Sequence, residues 1–312
     1  MTETTAITTR PTAQDYARAT RAQNTMRAYR AAWRAFAAWC EAEGHPALPA
    51  DPLTVADYLA HAAQAHKAST LGVHVAAIRA AHRAAGHADP TADERARAVL
   101  RGIRRVHGQP AIQRDPLTLD DLRRLVRGCG DDLPGLRDRA LLLLGFAAAL
   151  RRSEIVSLNV EHIRLNGVLR ITLTRSKTDQ EGQGIVKTIP RLQDAELCPV
   201  RALRAWLDAA GISSGALFRA VNRWGKVGAR LSAYDVARIV KRRAQAAGLD
   251  ARMLAGHSLR AGFATSAALA GLDPLAIAEV TGHRNLNTLR KYIRAAGRIQ
   301  SETVARVMGG AG

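Results

Sequence analysis

Residues Ala140 to Leu150 form the longest apolar run of the chain, eleven residues including Gly145. A bilayer-spanning helix needs about 20 apolar residues, so this run has to be enclosed by protein. Its leucine and alanine content predicts a helix buried on every side. Such a helix requires a sizeable core around it. A chain of 312 residues with 47% apolar content supplies one, and suggests about two domains. Aromatics are only 4% and alanine is abundant, which favours closely packed helices over an all-β sandwich. The expected class is mainly α with a small β-sheet.

The first third reads as helical throughout. Residues 1–20 are polar and Thr-rich, expected to be a mobile N-terminus without the apolar stretch of a signal peptide. Met26, Tyr29, Trp33, Phe36 and Cys40 then recur at helical spacing, from a cap at Asn24 or Thr25 to a stop at Gly44. Further helices are expected from Thr54 to about Ala65, after Ser69, and from about Thr91 to Val106. Together these make a helical domain over residues 21–107. Gly108-Gln109-Pro110 opens a linker over 108–117, and Thr118 to Asp121 reads as a capping box that starts a second domain, residues 118–312.

That second domain is mixed. Helices are expected at about 119–128 and 136–150. Val168 to Thr174 alternates, and with Ile185 to Ile189 it predicts a hairpin whose polar turn is Thr178 to Gly184. More helices follow near 199–210, 233–247, 258–270, 274–281 and 288–296. Ile299, Thr303, Val304, Val307 and Met308 form an apolar stripe on a last short helix, which is marginal alone and needs a surface to pack on, either its own domain or a neighbouring protomer.

Charge narrows the partner. The chain carries 46 Lys and Arg against 27 Asp and Glu, net +19. A field of that sign favours polyanions, DNA foremost. The excess sits mainly in residues 118–312, with 31 basic and 17 acidic side chains. The helix over 233–247 has an apolar side, Val236, Ile239, Val240 and Ala244, opposite Arg238, Lys241, Arg242 and Gln245. Arg27, Arg30 and Arg34 form a second basic strip beside the first apolar stripe. Both are candidate DNA-binding faces, with a solvated helix face as the alternative reading of each, and the Arg27, Arg30 and Arg34 strip is the weaker candidate. The three cysteines, at 40, 129 and 198, fit neither a disulfide framework nor a zinc-ligand spacing. No membrane association is expected, and a cytoplasmic setting follows.

The residues able to do chemistry come in order. Leu150-Arg151-Arg152-Ser153-Glu154 closes the apolar helix. Lys177 sits where the first strand meets the turn. His257-Ser258-Leu259-Arg260 opens a helix, whose N-terminal N–H groups favour an anion. Thr281-Gly282-His283 ends another, and Tyr292 follows. Singly these mean little: with ten histidines in so arginine-rich a chain, about 1.3 His-x-x-Arg pairs would arise by chance. The ordered set carries the signal.

That set resembles the tyrosine recombinase (phage integrase) family. Trp39-Cys40, Leu217-Phe218-Arg219, and Tyr292-Ile293-Arg294 with Ser301-Glu302-Thr303 are similar to its Cre-like branch, over about residues 20–308. The resemblance implies a helical core-site-binding domain and an α+β catalytic domain that together clamp DNA. It implies that Arg151 and Arg260 hold the scissile phosphate, Lys177 protonates the leaving 5′ oxygen, His257 and His283 complete the pocket, and Tyr292 is the nucleophile, with Glu154 in support. Arg152 duplicates the first arginine; Arg151 is preferred because it follows the leucine and precedes x-Ser-Glu. The expected activity is site-specific recombination through a 3′-phosphotyrosyl intermediate and a Holliday junction, with no metal, ATP or other cofactor. The expected assembly is a homotetramer on two DNA sites with inverted-repeat cores, joined by the final helix. A type IB topoisomerase-like enzyme and a non-catalytic DNA-binding relative are the alternatives.

The chemistry suits these residues apart from the resemblance. A phosphodiester is anionic, and its transition state gathers more charge on the non-bridging oxygens. Two guanidiniums offer planar donors that are always charged. A phenol, with a pKa near 10, needs such a positive pocket or a base before it is a useful nucleophile.

Overall fold

A computed structural model of the protein describes residues 23–108, 115–174, 184–254, 256–283 and 289. The expected N-terminal tail, most of the 108–117 linker, the hairpin turn with Lys177, and the segments after His283 that carry Tyr292 and the final helix lie outside the described residues. The chain divides into two units, residues 1–112 and 113–312.

The first unit is built from α1 (Gln23–Ala42), α2 (Pro52–Ala62), α3 (Ala68–Ala84) and α4 (Glu94–His107). The apolar stripe of α1 turns inward: Phe36 and Cys40 are fully buried, with Trp33 and Trp39 packed at their side. Val55, Tyr58, Leu59, Leu71, Ile78 and Ile103 complete this core. Asp51 caps α2, accepting from the Leu53 N–H at 2.7 Å, and Pro52 occupies the first turn, where its missing N–H costs nothing.

Two buried histidines stitch these helices. His82 Nε2 accepts from the Ala50 N–H at 2.9 Å, so its proton sits on Nδ1 and is donated to the Ile78 carbonyl. Tyr58 Oη and His74 Nδ1 lie 2.7 Å apart. Burial holds His74 below its ordinary pKa, with His66 adding to the effect, and pushes Tyr58 up to about 12.

The second unit runs α5 (Leu119–Arg127), α6 (Leu133–Ala147), α7 (Arg152–Ser157), then strands β1 (Ile163–Asn166), β2 (Val168–Leu173) and β3 (Ile185–Pro190). After α8 (Pro199–Ala210) comes a second hairpin, β4 (Arg219–Val221) and β5 (Val227–Arg230), then α9 (Ala233–Ala246), α10 (Ser258–Leu269) and α11 (Pro274–Thr281). The long apolar run is α6 and the turn after it, and it forms the centre of the core as its composition demands. α6 packs on α8 and α10. The first sheet is antiparallel in the order β1-β2-β3, with Ile171 opposite Lys187 and Leu169 opposite Ile189. Leu169, Ile171 and Leu173 all point into the core, as their alternation predicts.

The structure departs from the expectations in four places. The apolar helix ends at Ala147, and α7 is a separate element. β1 and the β4–β5 hairpin were not foreseen. Leu117, expected within the linker, is fully buried, and its N–H donates to the Ser258 carbonyl at 3.0 Å.

This last contact is intimate. A Cβ added at Gly262 of α10 would stand 1.7 Å from the Leu117 carbonyl oxygen. Only glycine lets α10 lie this close to the incoming chain. Gly262→Ala is therefore expected to destabilise the second unit by about 3 kcal/mol, the upper range for overpacking. Thermal unfolding checks it: an unchanged melting temperature would show that the two backbones part easily.

Candidate active site

The site begins where the buried helix stops. α6 closes with Ala149 in the left-handed region at φ 49°, its N–H bound to the Phe146 carbonyl and the Leu150 N–H bound to Gly145. This helix-ending turn normally uses glycine. With alanine it is strained, and it reverses the chain so that Arg151 becomes the residue that opens α7. Arg151 thus lies at a helix start, not at the end of the apolar helix as expected from sequence.

Glu154, one turn into α7 and 4% exposed, anchors it. Its carboxylate accepts the Arg151 backbone N–H at 2.7 Å and the Arg151 guanidinium at 2.6 Å. Arg260 arrives from the first turn of α10, 4% exposed, and donates through Nη1 to the Ala149 carbonyl at 2.9 Å. One short stretch of backbone therefore fixes both arginines of the expected pair. His257 stands exposed at the N-terminus of α10. Arg152, the rejected alternative, lies across the backbone at Gly256, where a Cβ would meet its Cδ at 1.6 Å.

His283 comes from the end of α11. Gly282, left-handed at φ 65°, turns the chain, and the His283 N–H bonds back to the Ala278 carbonyl at 3.0 Å. The Thr281 hydroxyl donates to the Ile277 carbonyl at 2.7 Å. Having spent its single proton there, it accepts from His283 Nδ1, also at 2.7 Å, which leaves Nε2 as the acceptor side of the ring. Burial and then Arg260 and Arg151 push the His283 pKa down to about 4. The ring is neutral at neutral pH.

Lys187 was missed from sequence. It sits on β3 and donates through Nζ to the Val280 carbonyl, and its pKa is pushed down to about 8. Burial is the main cause; Arg260 and Arg151 add to it and Glu154 opposes it. Its signal was legible: Ile185, Lys187 and Ile189 share one strand face, and only one of them is charged. Among the described residues, Arg151, Glu154, Lys187, Arg260 and His283 thus come together, and His257 stands one helical turn from Arg260. Lys177 and Tyr292 lie outside them. Among the described residues no group of three His, Cys, Asp or Glu could hold a metal ion, and no helix is long and apolar enough to cross a membrane.

The basic face of α9 has a buried foundation. Asp138 of α6 is wholly buried and receives Arg137 at 2.7 Å, Arg242 at 2.7 Å and Arg243 at 2.8 Å. Arg242 is thereby engaged, although its side chain stays 59% exposed. Lys241 is exposed, and Arg238 is loosely paired with Asp235 at 3.8 Å. In the first unit, Arg27, Arg30 and Arg34 are exposed on α1. α4 exposes Arg97, Arg101, Arg104 and Arg105 as well, a basic face whose spacing of four and three from Arg97 through Arg101 to Arg104 was visible in the sequence but not singled out.

Residues 116–298 match the phage integrase family, and residues 14–88 match the phage integrase N-terminal SAM-like domain. The chain belongs to the phage integrase family. It is 39% identical to the "Integrase/recombinase xerD homolog" of Selenomonas ruminantium, over 92% of this chain and 86% of that protein. It is 27% identical to "Recombinase cre" of Escherichia phage P1, over 88% and 84% of the two chains. Of these two the xerD homolog is the more similar, whereas the sequence motifs had suggested the Cre-like branch. Among solved structures, the Tn1549 transposon integrase in complex with transposon right end DNA has the same fold, with a TM-score of 0.62 at 17% identity, covering 94% and 97% of the chains. A lambda integrase dimer bound to a COC′ core site gives 0.61 at 18% identity, covering 92% and 94%.

The strained turn gives a direct test. A left-handed alanine costs about 1–2 kcal/mol, of which glycine's larger folding entropy takes back part. Ala149→Gly is expected to stabilise the second unit by about 1 kcal/mol while Arg260 keeps its carbonyl partner. Chemical denaturation measures this, and a loss of stability would mean that the Ala149 methyl packs more than the turn strains.

Proposed function

We propose that the chain is a site-specific DNA recombinase that cuts and rejoins strands through Tyr292. The observation that carries this reading is the meeting of Arg151 and Arg260 on one backbone turn, beside a neutral His283, in a chain of the phage integrase family. Two fixed guanidiniums with a buried carboxylate behind them form a seat for one phosphodiester.

In the proposed reaction Tyr292 loses its phenolic proton to solvent in the positive pocket, its oxygen attacks the phosphorus, and the bond to the 5′ oxygen breaks. Lys177 gives that oxygen its proton. The phosphotyrosyl ester keeps the energy of the broken bond, so a 5′-hydroxyl from a second duplex can displace Tyr292 without ATP. One such exchange yields a Holliday junction, and a second resolves it. His257 and His283 line the seat, His283 as a neutral ring. Glu154 holds Arg151 in place.

DNA is the proposed partner, at sites with inverted-repeat cores. Arg238, Lys241 and Arg242 on α9 would meet it from the second unit. Arg27, Arg30 and Arg34, or the α4 arginines, would meet it from the first. Net charge of +19 supports this, since each phosphate neutralised releases counterions and makes binding fall steeply with salt. We further assign a tetramer on two sites, with the stripe from Ile299 to Met308 as the joining element.

Two experiments test the reading on target DNA recovered by selection from random duplexes. Tyr292→Phe should retain DNA affinity and lose the covalent adduct seen on denaturing gels; an adduct of undiminished yield would remove Tyr292 from its role. Deleting residues 299–312 should leave one protomer on a half-site while cooperative filling of the second half-site and synapsis fall. Equal two-site assembly by the shortened and full chains, measured by gel shift, would refute the docking role.

A further inference from the structure

Lys187 has a place that its chemistry does not favour. It faces inward on β3, between Ile185 and the buried Ile189, and its register partner is the fully buried Ile171. Its ammonium is held by the carbonyl of Val280, one of the last four carbonyls of α11, which the helix itself cannot satisfy. A cation at that end also opposes the negative pole of the helix. The contact lies immediately before Thr281-Gly282-His283, so it ties the turn carrying His283 to the strand. The charged groups acting on it are Arg260 from α10, and Arg151 and Glu154 around the start of α7. Two of the three repel it.

We propose that Lys187 is a positioning residue of the phosphate seat: it clamps the His283 turn to β3, and entry of a phosphodiester beside Arg151 and Arg260 secures its charge. This rests on the reading of the site as a phosphate seat. Before DNA arrives, burial and two guanidiniums weigh against the ammonium, which titrates at about 8. An incoming phosphate adds a negative charge to the same cluster and offsets the repulsion. The lysine then takes up a proton from solvent, and the clamp tightens when substrate is present. His283, with a pKa of about 4, does not titrate in this range. Lys187 is distinct from Lys177, whose proton goes to the leaving oxygen; Lys187 keeps its proton and acts through His283.

The test uses the full chain with lysine ε-carbons labelled for NMR, and Lys187→Arg to assign the signal. The probe is a duplex of about 20 base pairs carrying the selected half-site. One signal, missing in Lys187→Arg, should titrate near pH 8 in free protein and move up by at least about one unit in the complex. Calorimetry at about pH 8.5 in buffers of different ionisation heat should show uptake of about half a proton or more on binding. Lys187→Arg, whose charge is permanent, should abolish that uptake. Lys187→Gln should slow single-turnover cleavage about tenfold or more with little change in DNA affinity, and arginine should restore part of the rate. A Lys187 signal that titrates near 10.5 in free protein, or the same proton uptake in wild type and Lys187→Arg, overturns the proposal. Failure of the duplex to bind at any salt concentration would overturn the phosphate-seat reading itself, whereas tight binding without proton linkage overturns only the role of Lys187.

Discussion

Two guanidiniums fixed side by side repel each other, and the second unit is organised around making that arrangement tolerable. The buried carboxylate of Glu154 supplies the opposing charge and accepts both backbone and side chain of Arg151. The Ala149 carbonyl supplies the second anchor, for Arg260. Neither anchor exists without the turn that ends α6 early. That turn in turn stands on the apolar run, because only a helix buried on all sides holds its end still enough to store backbone strain. On the other side, α10 brings Arg260 close because Gly262 lets it lie against the chain at Leu117. Strain, glycine and buried acid are parts of one device for holding two positive charges together.

The other groups of the pocket respond to that concentration of charge. His283 is neutral because burial and the two arginines make a third cation unfavourable there. Lys187 retains its proton only weakly for the same reason. A pocket of this kind concentrates positive charge, which a bound anion would offset. Fixed donors that need no reorganisation when charge develops are what phosphoryl chemistry asks of a protein.

Much of this was legible in the sequence, and the illegible parts share a cause. The α1 stripe, the inward face of β2 and the apolar run each repeat over several residues, so periodicity exposes them. The approach of Arg151, Arg260 and His283 was anticipated from their order along the chain, while Lys177 and Tyr292 of the same ordered set lie outside the described residues. Ala149 was not: nothing in three successive alanines tells which one turns left-handed, since that is decided by where Leu150 must be buried. β1 and the β4–β5 hairpin are three or four residues long, too short for a pattern. Lys187 was overlooked because a strand lysine is ordinarily solvated, and only its two isoleucine neighbours hinted otherwise. Asp138 gave no local signal either; its meaning lies in Arg242 and Arg243, which are distant in sequence.

The cluster at Asp138 has a consequence for how the surface of α9 behaves. A long arginine on an exposed helix samples many rotamers, and ordering it on a ligand costs on the order of 1–2 kcal/mol. Arg242 is already held at 2.7 Å by an acid that cannot move, yet more than half of its side chain remains in solvent. Its conformational freedom is surrendered when the chain folds. What the helix shows to the outside is a stiff donor, set beside the freer Lys241 and Arg238. A polyanion meeting this face would find one fixed contact that sets register and two adaptable ones that follow it.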